Sequence, residues 1–500
     1  MVDVGQRVEV DEAGPDESPR PRRSPRPAAR RRRTLHGRSS RPLDGCVVYA
    51  GDSIVHVGSS YDGPADEVID AGEAIVGPGF IDLDALSDID HALIDTWHAS
   101  SDGLTWSAEY AAGRRAAVFP LEETLFMREY ALTQLIRNGI TTAMPIAAET
   151  HSAWAESYEE FAGVAEIAGR LGLRMYLGPS YRSGVPVVRD GARDVHWEPE
   201  LGEKGLAEAV RFVRDFDGAY DGRLRGALLP CRIETVTLDL MRATARAAEE
   251  LDCLVRLHCM QGLSELRLLR EWYGRHPLDV LESVGLLGPR LLIPHALYLG
   301  APETPFEGSP DRLAALAGIV HCPLTTVRYG DALQDFDRYR AAGVNVALGT
   351  DSFPPDMIRN MDYGNNLAKL VTGRLEAGSA ADYYRAATLS GARALGRDDL
   401  GRLAPGAKAD LVVVDLSGPR TGPVDDPIRT LLMNCSGADV TTVVIDGRVV
   451  MRDGVIPGVD EKAFMARAQA YFTEMKAAYS TRDHLHRPVE ELFPPSFRPA

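Results

Sequence analysis

The central part of the chain alternates helix-like and strand-like segments, and this alternation constrains the fold most strongly. The helical pattern ETLFMREYALTQLIRNG ends at Gly139 and is followed by the strand-like run ITTAMPI. Similar pairs recur over roughly 320 residues, a length that suits about eight βα units with insertions. Repeated βα units favour a parallel sheet, so we predict an α/β fold built on a (β/α)8 TIM-like barrel. A doubly wound sheet is the alternative, but its G-x-G-x-x-G fingerprint is not evident after a first strand.

Short β-rich runs lie on both sides of this central part. They are CVVYA and SIVHVG before it, and ADLVVVDL and VTTVVIDGRVVMRDG after it. β-branched runs bounded by turn residues are typical of short strands. We therefore predict a small composite β-sandwich from residues 43–76 and 401–455. The barrel would then span 77–400, and a C-terminal helix and tail would occupy 456–500.

Composition limits the classes of partner that the chain can bind. The net charge of −17 argues against a nucleic-acid-binding protein, because phosphate contacts need clustered cations. The exception is segment 1–42, where ten arginines lie between Arg20 and Arg41 among Pro, Ser and Ala. We predict a disordered tail there, because such a composition cannot bury apolar surface.

The sequence contains no run of about 18 apolar residues, so we predict no membrane span. Six scattered cysteines without a C-x-x-C pair favour a reducing cytoplasm.

Polar side chains follow four successive predicted strands. His258 ends CLVRLH, His295 ends LLIPH, His321 lies in IVHCP and Asp351 ends VNVALGTD. The carboxyl ends of barrel strands form one rim, where active sites lie. A single buried histidine is more often a core residue than a ligand, but three histidines and an aspartate in this arrangement favour a functional site.

Four motifs, in this order along the chain, resemble one family of enzymes. They are PGFID at 78–82, VHCP at 320–323, LGTD at 348–351, and finally ATLSGARALG followed by LAPGAKADLVVVD. The chain resembles the amidohydrolase superfamily, specifically the branch of triazine chlorohydrolases and guanine or cytosine deaminases. The resemblance covers residues 44–454 and implies a barrel that carries its active site on the rim.

The resemblance also implies roles for three residues on the rim. In that family a metal is held by His-x-His on strand one, by a histidine on strand five and by an aspartate on strand eight. His258 and Asp351 match the last two positions, and His295 matches a strand-six histidine that polarises the substrate. We therefore expect His258, His295 and Asp351 to be the catalytic residues.

Three other family positions carry different residues here. Asp84 and Leu86 stand in the places of the strand-one ligands, and Gln261 stands in the place of a glutamate that moves protons. Leu86 cannot bind a metal, but Asp84 with His258 and Asp351 would form a site that suits Zn, Mn or Fe. The alternative is that Asp84 is hydrogen-bonded to His258 or another neighbour and that no metal binds. We predict that any divalent ion is weakly held or absent.

Further residues are predicted to contact the substrate. The amide of Gln261 cannot transfer a proton at neutral pH, but it could orient a substrate carbonyl or ring nitrogen. Arg182, in GPSYRSG after a predicted third strand, would bind an anionic or carbonyl group or form a surface salt bridge. Asp84 and His321 complete the predicted substrate contacts. Weaker acid–base candidates lie in charged loops: Asp88, Asp90, His91, His98 and Glu149.

Together these features predict an amidohydrolase-like enzyme that hydrolyses a non-peptide C–N bond in a small N-heterocycle or cyclic amide, at a non-standard metal site. A metal-independent lyase or isomerase on the same barrel is one alternative. A non-catalytic ligand-binding protein is another, and the His and Asp residues of the rim speak against it. We expect a cytoplasmic protein that binds a small-molecule substrate and forms a homodimer or higher oligomer, with neither nucleic acid nor a membrane as partner.

Overall fold

The computed structural model of the protein describes residues 7–8, 31–35, 42–89, 106–112, 119–146, 154 and 156–497. Its centre is a sheet of eight parallel strands whose order in space follows their order in the chain. Numbered one to eight, the barrel strands are Phe80–Ala85, Ile140–Pro145, Arg174–Leu177, Leu224–Leu228, Leu254–Arg256, Leu291–Pro294, Gly318–His321 and Val346–Leu348.

The first and last barrel strands meet through hydrogen bonds at the carboxyl end of the sheet. The backbone N–H of Asp351 donates to the carbonyl of Asp84 at 2.8 Å. Thr350 donates from its backbone N–H to Asp82 Oδ1 at 3.0 Å and from its hydroxyl to Asp82 Oδ2 at 2.5 Å. Eight parallel strands in this order, with helices between them, confirm the predicted (β/α)8 barrel.

Helices surround the strands, and local sequence signals fix where they begin and end. Ser157 caps the helix Tyr158–Leu171 by accepting a hydrogen bond from Glu160 N, and Gly172 ends it with a φ of 81°. Such caps satisfy backbone groups that lack a partner inside the helix. Among the described residues, no helix is both long and apolar enough to cross a membrane. The α-helices described are Ala108–Ala112, Leu121–Arg137, Tyr158–Leu171, Pro199–Phe216, Leu238–Leu251, Leu263–Tyr273, Pro277–Ser283, Pro323–Arg328, Phe336–Ala341, Met357–Thr372, Ala380–Arg385, Gly391–Ala394, Pro427–Asn434, Glu461–Ala478 and Val489–Leu492.

Segments from both sides of the barrel sequence combine in one seven-stranded sheet. Its presence agrees with the expectation that the two ends of the chain build a common β-structure. Antiparallel pairing of Ala74–Pro78 with Leu411–Asp415 joins the two halves directly. In spatial order the strands are Arg448–Met451, Val440–Ile445, Leu411–Asp415, Ala74–Pro78, Arg31–Leu35, Pro42–Ala50 and Ser53–Gly58.

Part of the arginine-rich segment differs from the predicted disordered tail. Arg31–Leu35 is a strand that pairs in parallel with Ala74–Pro78 and antiparallel with Pro42–Ala50. The pairing uses backbone N–H and C=O groups, so it does not require apolar side chains. Arg7–Val8 also pairs, with Ile69–Asp70. The other residues of segment 1–41 lie outside the described residues.

The C-terminal helix Glu461–Ala478 packs against the helix Leu121–Arg137 through aromatic side chains. The rings of Phe126 and Phe464 meet edge to face with centroids 5.6 Å apart. The chain that follows reaches the loop after barrel strand one, where Ser107 N donates to the carbonyl of Arg482 at 2.9 Å. The short strand Trp106–Ser107 in turn extends the hairpin that follows barrel strand three, which is made of Gly184–Arg189 and Ala192–Trp197.

The two faces of the barrel strands belong to different apolar cores. On strand five, Val255 and the following Leu257 pack in the core between the strands and the helices. On strand seven, Ile319 packs in that outer core, whereas Val320 packs in the core inside the barrel. Side chains alternate along a strand, so Arg256, between Val255 and Leu257, points into the barrel.

Candidate active site

Asp84 lies at the centre of a buried polar cluster at the carboxyl end of the barrel. Strand one shifts its register against strand two beyond Asp82, and such a bulge re-aims the side chains that follow. The Asp84 carboxylate is fully buried. Its Oδ2 lies 3.4 Å from His258 Nε2 and 3.9 Å from His295 Nε2. Asp84 therefore joins the two histidines that the sequence pattern placed on the rim.

A backbone carbonyl holds the His258 ring. The Nδ1 of His258 lies 2.9 Å from the carbonyl oxygen of Cys231, which can only accept a hydrogen bond. This contact assigns a proton to Nδ1 and turns Nε2 towards Asp84. The rings of His258 and His295 lie with centroids 5.4 Å apart. The Nε2 atoms of both rings therefore face the space around the Asp84 carboxylate.

His295 and Asp351 both have left-handed backbone conformations, with φ values of 65° and 41°. Residues other than glycine rarely adopt this conformation, and such strain concentrates at functional sites. The two side chains approach each other, with His295 Nε2 3.8 Å from Asp351 Oδ2. Burial lowers the pKa of His295 to about 3, so the ring is neutral at physiological pH. Its Nε2 is buried without a hydrogen-bond partner.

Arg256 also belongs to this cluster, although sequence reasoning missed it. Its side chain is buried, and Nη1 lies 3.3 Å from Asp84 Oδ1 and donates to the Met144 carbonyl at 3.1 Å. Burial alone would raise the pKa of Asp84, but the charges of His258 and Arg256 lower it below its usual value, so the carboxylate is ionised. The signal was available, because Arg256 stands two residues before His258 and side chains at i and i+2 share a face.

Strand seven contributes Cys322 rather than His321 to the cluster. The Cys322 thiol lies 3.6 Å from Asp84 Oδ2, and burial followed by the nearby Asp84 raises its pKa well above the ordinary value. His321 lies on the opposite face of the strand, where its ring centroid is 6.1 Å from that of Phe336 and 6.2 Å from that of Tyr383. The predicted substrate contact of His321 is therefore not part of the arrangement seen here.

Gln261 lies in the loop after strand five, and Glu265 fixes this loop from behind. The two carboxylate oxygens of Glu265 accept hydrogen bonds from the backbone N–H groups of Met260, at 2.5 Å, and Gln261, at 3.1 Å. Burial, and then the neighbouring Glu234, raises the pKa of Glu265 to about 8. The Gln261 side chain keeps its Oε1 buried without a hydrogen-bond partner. It therefore retains an acceptor for a ligand, as the predicted role requires.

Arg182 is buried rather than part of a surface salt bridge. Only 3% of the residue is exposed, and its Nε donates to the Trp154 carbonyl at 2.5 Å. Trp154 returns a hydrogen bond from its indole N–H to the Arg182 carbonyl at 2.9 Å. The surface alternative for Arg182 is thereby excluded, while its contact with a substrate stays a prediction.

Of the weaker acid–base candidates, only Asp88 falls within the described residues. It is fully buried near Arg128, whose pKa is raised by Glu160, Glu156 and Asp88 against the lowering effect of burial. Such a buried, charge-balanced position is typical of a structural carboxylate. The remaining candidates lie outside the part of the chain that the structure describes: Asp90, His91, His98 and Glu149.

The spacing of the ligand atoms favours a bound metal ion, whereas the positive charge of Arg256 opposes one. One ligand atom each from Asp84, His258 and His295 lies within 4.8 Å of the others, which is compatible with a shared ion. The guanidinium of Arg256 lies 3.3 Å from the same carboxylate, and its charge would repel a divalent cation. We call the following residues the mouth cluster: Asp84, Arg256, His258, His295 and Asp351.

The comparison with known families decides the membership of this chain. The model of the amidohydrolase family matches residues 87–450. The chain belongs to the amidohydrolase family. It is accordingly an amidohydrolase-like enzyme of the hydrolase class, as the motifs of its barrel strands predicted.

Relatives within the amidohydrolase family align over most of the chain. A 5-methylthioadenosine/S-adenosylhomocysteine deaminase from Halobacterium salinarum is 30% identical over 447 residues, which cover 87% of this chain and 94% of the relative. The protein of the same name from Pyrococcus abyssi is 28% identical over 438 residues, covering 86% and 94%. Deamination breaks a C–N bond of a heterocycle, so these relatives agree with the predicted class of reaction.

Solved structures of the family share the fold at lower identity. A zinc-bound adenosine deaminase from Xanthomonas campestris has a TM-score of 0.70 at 22% identity and covers 86% of this chain and 93% of its own. The zinc complex of atrazine chlorohydrolase from Arthrobacter aurescens has a TM-score of 0.70 at 21% identity, with 89% and 99% covered. Both neighbours hold zinc. The mouth cluster of this chain contains the guanidinium of Arg256, so its metal content has to be measured.

Proposed function

We propose that this chain hydrolyses the bond between a ring carbon and an exocyclic nitrogen of a small, planar N-heterocycle, with His258, His295 and Asp351 around the reacting carbon. The observation that carries the proposal is the convergence of these side chains with Asp84 at the carboxyl end of the barrel. Adenine nucleosides are the first substrates to test, because the relatives are named as deaminases of such compounds.

Asp351 is the group that we assign as proton acceptor. A water molecule would bond through its oxygen to the ring carbon and transfer one proton to the Asp351 carboxylate. The same proton then passes to the exocyclic nitrogen, the C–N bond breaks and ammonia leaves. The second proton of the water moves from the oxygen to a ring nitrogen, which gives the oxo-heterocycle. A positioned acid–base group of this kind contributes about 10²–10⁴-fold to the rate.

The neighbouring residues hold the reactants. The neutral His295 ring has an unpartnered Nε2 that can accept a hydrogen bond from the attacking water. The unpartnered Oε1 of Gln261 can accept one from a substrate N–H. Burial strengthens both contacts, because water does not compete for these buried atoms.

Any divalent ion at the mouth cluster is weakly held or absent under this proposal. A bound ion would acidify water and polarise the substrate, and the steps above do not require it. Elemental analysis of protein dialysed without chelator should find well under one equivalent of Zn, Mn or Fe. One equivalent that survives dialysis would contradict this part of the proposal.

The activity test measures ammonia released from 5′-methylthioadenosine, S-adenosylhomocysteine and 5′-deoxyadenosine, and then from cytosine, guanine and aminotriazines. Asp351→Asn should lower turnover of the accepted substrate by about 10²–10⁴-fold without changing the metal content. Asp398→Asn is the matched control, because that carboxylate is fully exposed at the surface. Equal activities of the two variants would contradict the assignment.

Isotope labelling separates hydrolysis from the lyase or isomerase alternative. In water enriched in ¹⁸O, hydrolysis places one labelled oxygen in the heterocyclic product. Elimination or isomerisation would give an unlabelled product. The homodimer and the cytoplasmic location stay predictions, to be tested by light scattering and by cell fractionation.

A further inference from the structure

We infer that Arg256 is the resident cation of the mouth cluster: its guanidinium neutralises Asp84 and keeps a divalent ion out of the space between Asp84, His258 and His295. The inference rests on the proposed function only in treating this cluster as the reacting centre. It concerns which positive charge the site contains, and it can be tested without any substrate.

The contacts of Arg256 show a cation that is built into the barrel. The side chain is 2% exposed, and the Met144 carbonyl and the Asp84 carboxylate lie within 3.3 Å of Nη1. A guanidinium does not lose its proton in proteins. Arg256 therefore brings a permanent positive charge to the place where Asp84 would otherwise be a buried, uncompensated anion.

Charge counting explains why Arg256 and an ion would compete. Apart from the two imidazoles, the cluster contains two carboxylates and one guanidinium. An ion bound to Asp84 Oδ2 would lie close to a guanidinium that already contacts Oδ1 of the same carboxylate. In a buried site little water screens this repulsion. Removing the guanidinium would leave two carboxylates and two imidazole nitrogens, which is a donor set suited to Zn, Mn or Fe.

The test compares metal binding by the full chain with and without this charge. After chelator treatment and desalting, Zn²⁺ and Co²⁺ are titrated into wild type and Arg256→Met by calorimetry. We expect no saturable binding by wild type in the micromolar range, and one equivalent bound by Arg256→Met at least about 10-fold more tightly. Co²⁺ bound to the variant should also show ligand-field absorption, a readout that is independent of activity.

Matched variants make each result interpretable. Arg256→Lys keeps the charge and should bind no more metal than wild type. Asp84→Asn/Arg256→Met lacks the carboxylate as well as the guanidinium, so it should lose the affinity gained by Arg256→Met. If Arg256→Met does not fold by circular dichroism, Arg256→Gln replaces it, because the Gln amide can still donate to the Met144 carbonyl.

Two results would overturn the inference. One is a wild-type protein that binds one equivalent of Zn²⁺ or Co²⁺ at micromolar or lower concentration with Arg256 in place. The other is a folded Arg256→Met or Arg256→Gln variant that binds metal no more tightly than wild type. The first result would also contradict the weak or absent metal in the proposed function, whereas the second would not. Neither result bears on whether the chain hydrolyses a C–N bond of an N-heterocycle, which the ammonia and ¹⁸O measurements test separately.

Discussion

Two of the barrel's buried clusters of charged residues differ in how well their atoms are satisfied. At its amino end, Arg174 donates to Asp410 at 2.9 and 3.1 Å and to Asp446 at 2.9 Å. Asp410 also accepts a hydrogen bond from Asp446 N at 2.7 Å. In the mouth cluster, the side chains face one another at 3.3–3.9 Å, and Asp84 Oδ1 and His295 Nε2 lack a hydrogen-bond partner.

This difference separates a structural ion network from a functional one. The amino-end network, which we call the joint cluster, consists of Arg174, Arg223, Asp410 and Asp446. It ties barrel strands to the seven-stranded sheet, and its short, shared hydrogen bonds offset the cost of burying charge. The mouth cluster leaves buried donors and acceptors unsatisfied, which costs stability unless a ligand completes them.

The largest effect should follow from breaking the joint cluster. Arg174→Met removes the guanidinium that pairs with buried Asp410 and leaves Asp446 with Arg223, and losing one partner of a buried pair costs about 3–5 kcal/mol. Urea unfolding should therefore shift to a much lower midpoint. The control is Arg214→Met, since Arg214 is half exposed and pairs with Glu250 at the surface, where ion pairs contribute about 0–1 kcal/mol. Similar midpoints for the two variants would show that the joint cluster does not hold the sheet to the barrel.

A second prediction concerns Glu265, a buried carboxylate hydrogen-bonded to backbone N–H groups next to the mouth cluster. Because its folded pKa of about 8 lies above the unfolded value, wild-type stability falls as pH rises from about 4.5 towards 8. Glu265→Gln does not titrate, but its amide N–H₂ faces a backbone donor, which costs about 1–3 kcal/mol. The variant should therefore be less stable than wild type at pH 6, and the deficit should shrink by pH 9.

Thermal unfolding between pH 5 and 9 measures this deficit. Glu271→Gln on the same helix is the control, because its side chain is exposed and should give a difference that is independent of pH. A Glu265→Gln deficit that grows with pH would show that burial does not raise the pKa of this carboxyl.

The sequence predicted the architecture and four of the five residues of the mouth cluster. Alternating βα segments determine a parallel barrel, and polar residues at the ends of parallel strands must meet on one rim. His258, His295 and Asp351 were found in this way. Asp84 was found because it follows the motif PGFID at the place of a family ligand, although its contacts depend on a bulge in strand one that no periodicity indicates.

The sequence analysis missed the residues whose place in the site depends on the direction of the side chain. The run IVHCP is buried throughout, so its pattern does not tell whether His321 or Cys322 faces the interior. Arg256 looked like an ordinary strand residue because its partner, Asp84, is distant in the chain. The i, i+2 spacing places Arg256 on the same face as His258, but its pairing with Asp84 is set by the closure of the whole barrel and cannot be read from the local sequence.

A third prediction contrasts the mouth cluster with the joint cluster. Asp84→Asn/Arg256→Met removes both charges of the mouth pair, and replacing a whole buried pair is often neutral or stabilising. Its stability should lie within about 1 kcal/mol of wild type, whereas its activity should be lost. A large loss of stability, like that of Arg174→Met, would mean that the mouth pair is itself structural.

The smallest effect should come from His321, which sequence reasoning placed in the site. Its ring faces Phe336 and Tyr383, and burial lowers its pKa to about 3, so it is neutral there. His321→Leu replaces it by an apolar side chain of similar size and should change stability by less than about 1.5 kcal/mol, with turnover unchanged. His295→Leu is the matched change on the neighbouring strand six. It should lower turnover by about 10²-fold or more. Equal activity of His321→Leu and His295→Leu would contradict the assignment of His295 to the mouth cluster and of His321 to the outer face of the barrel.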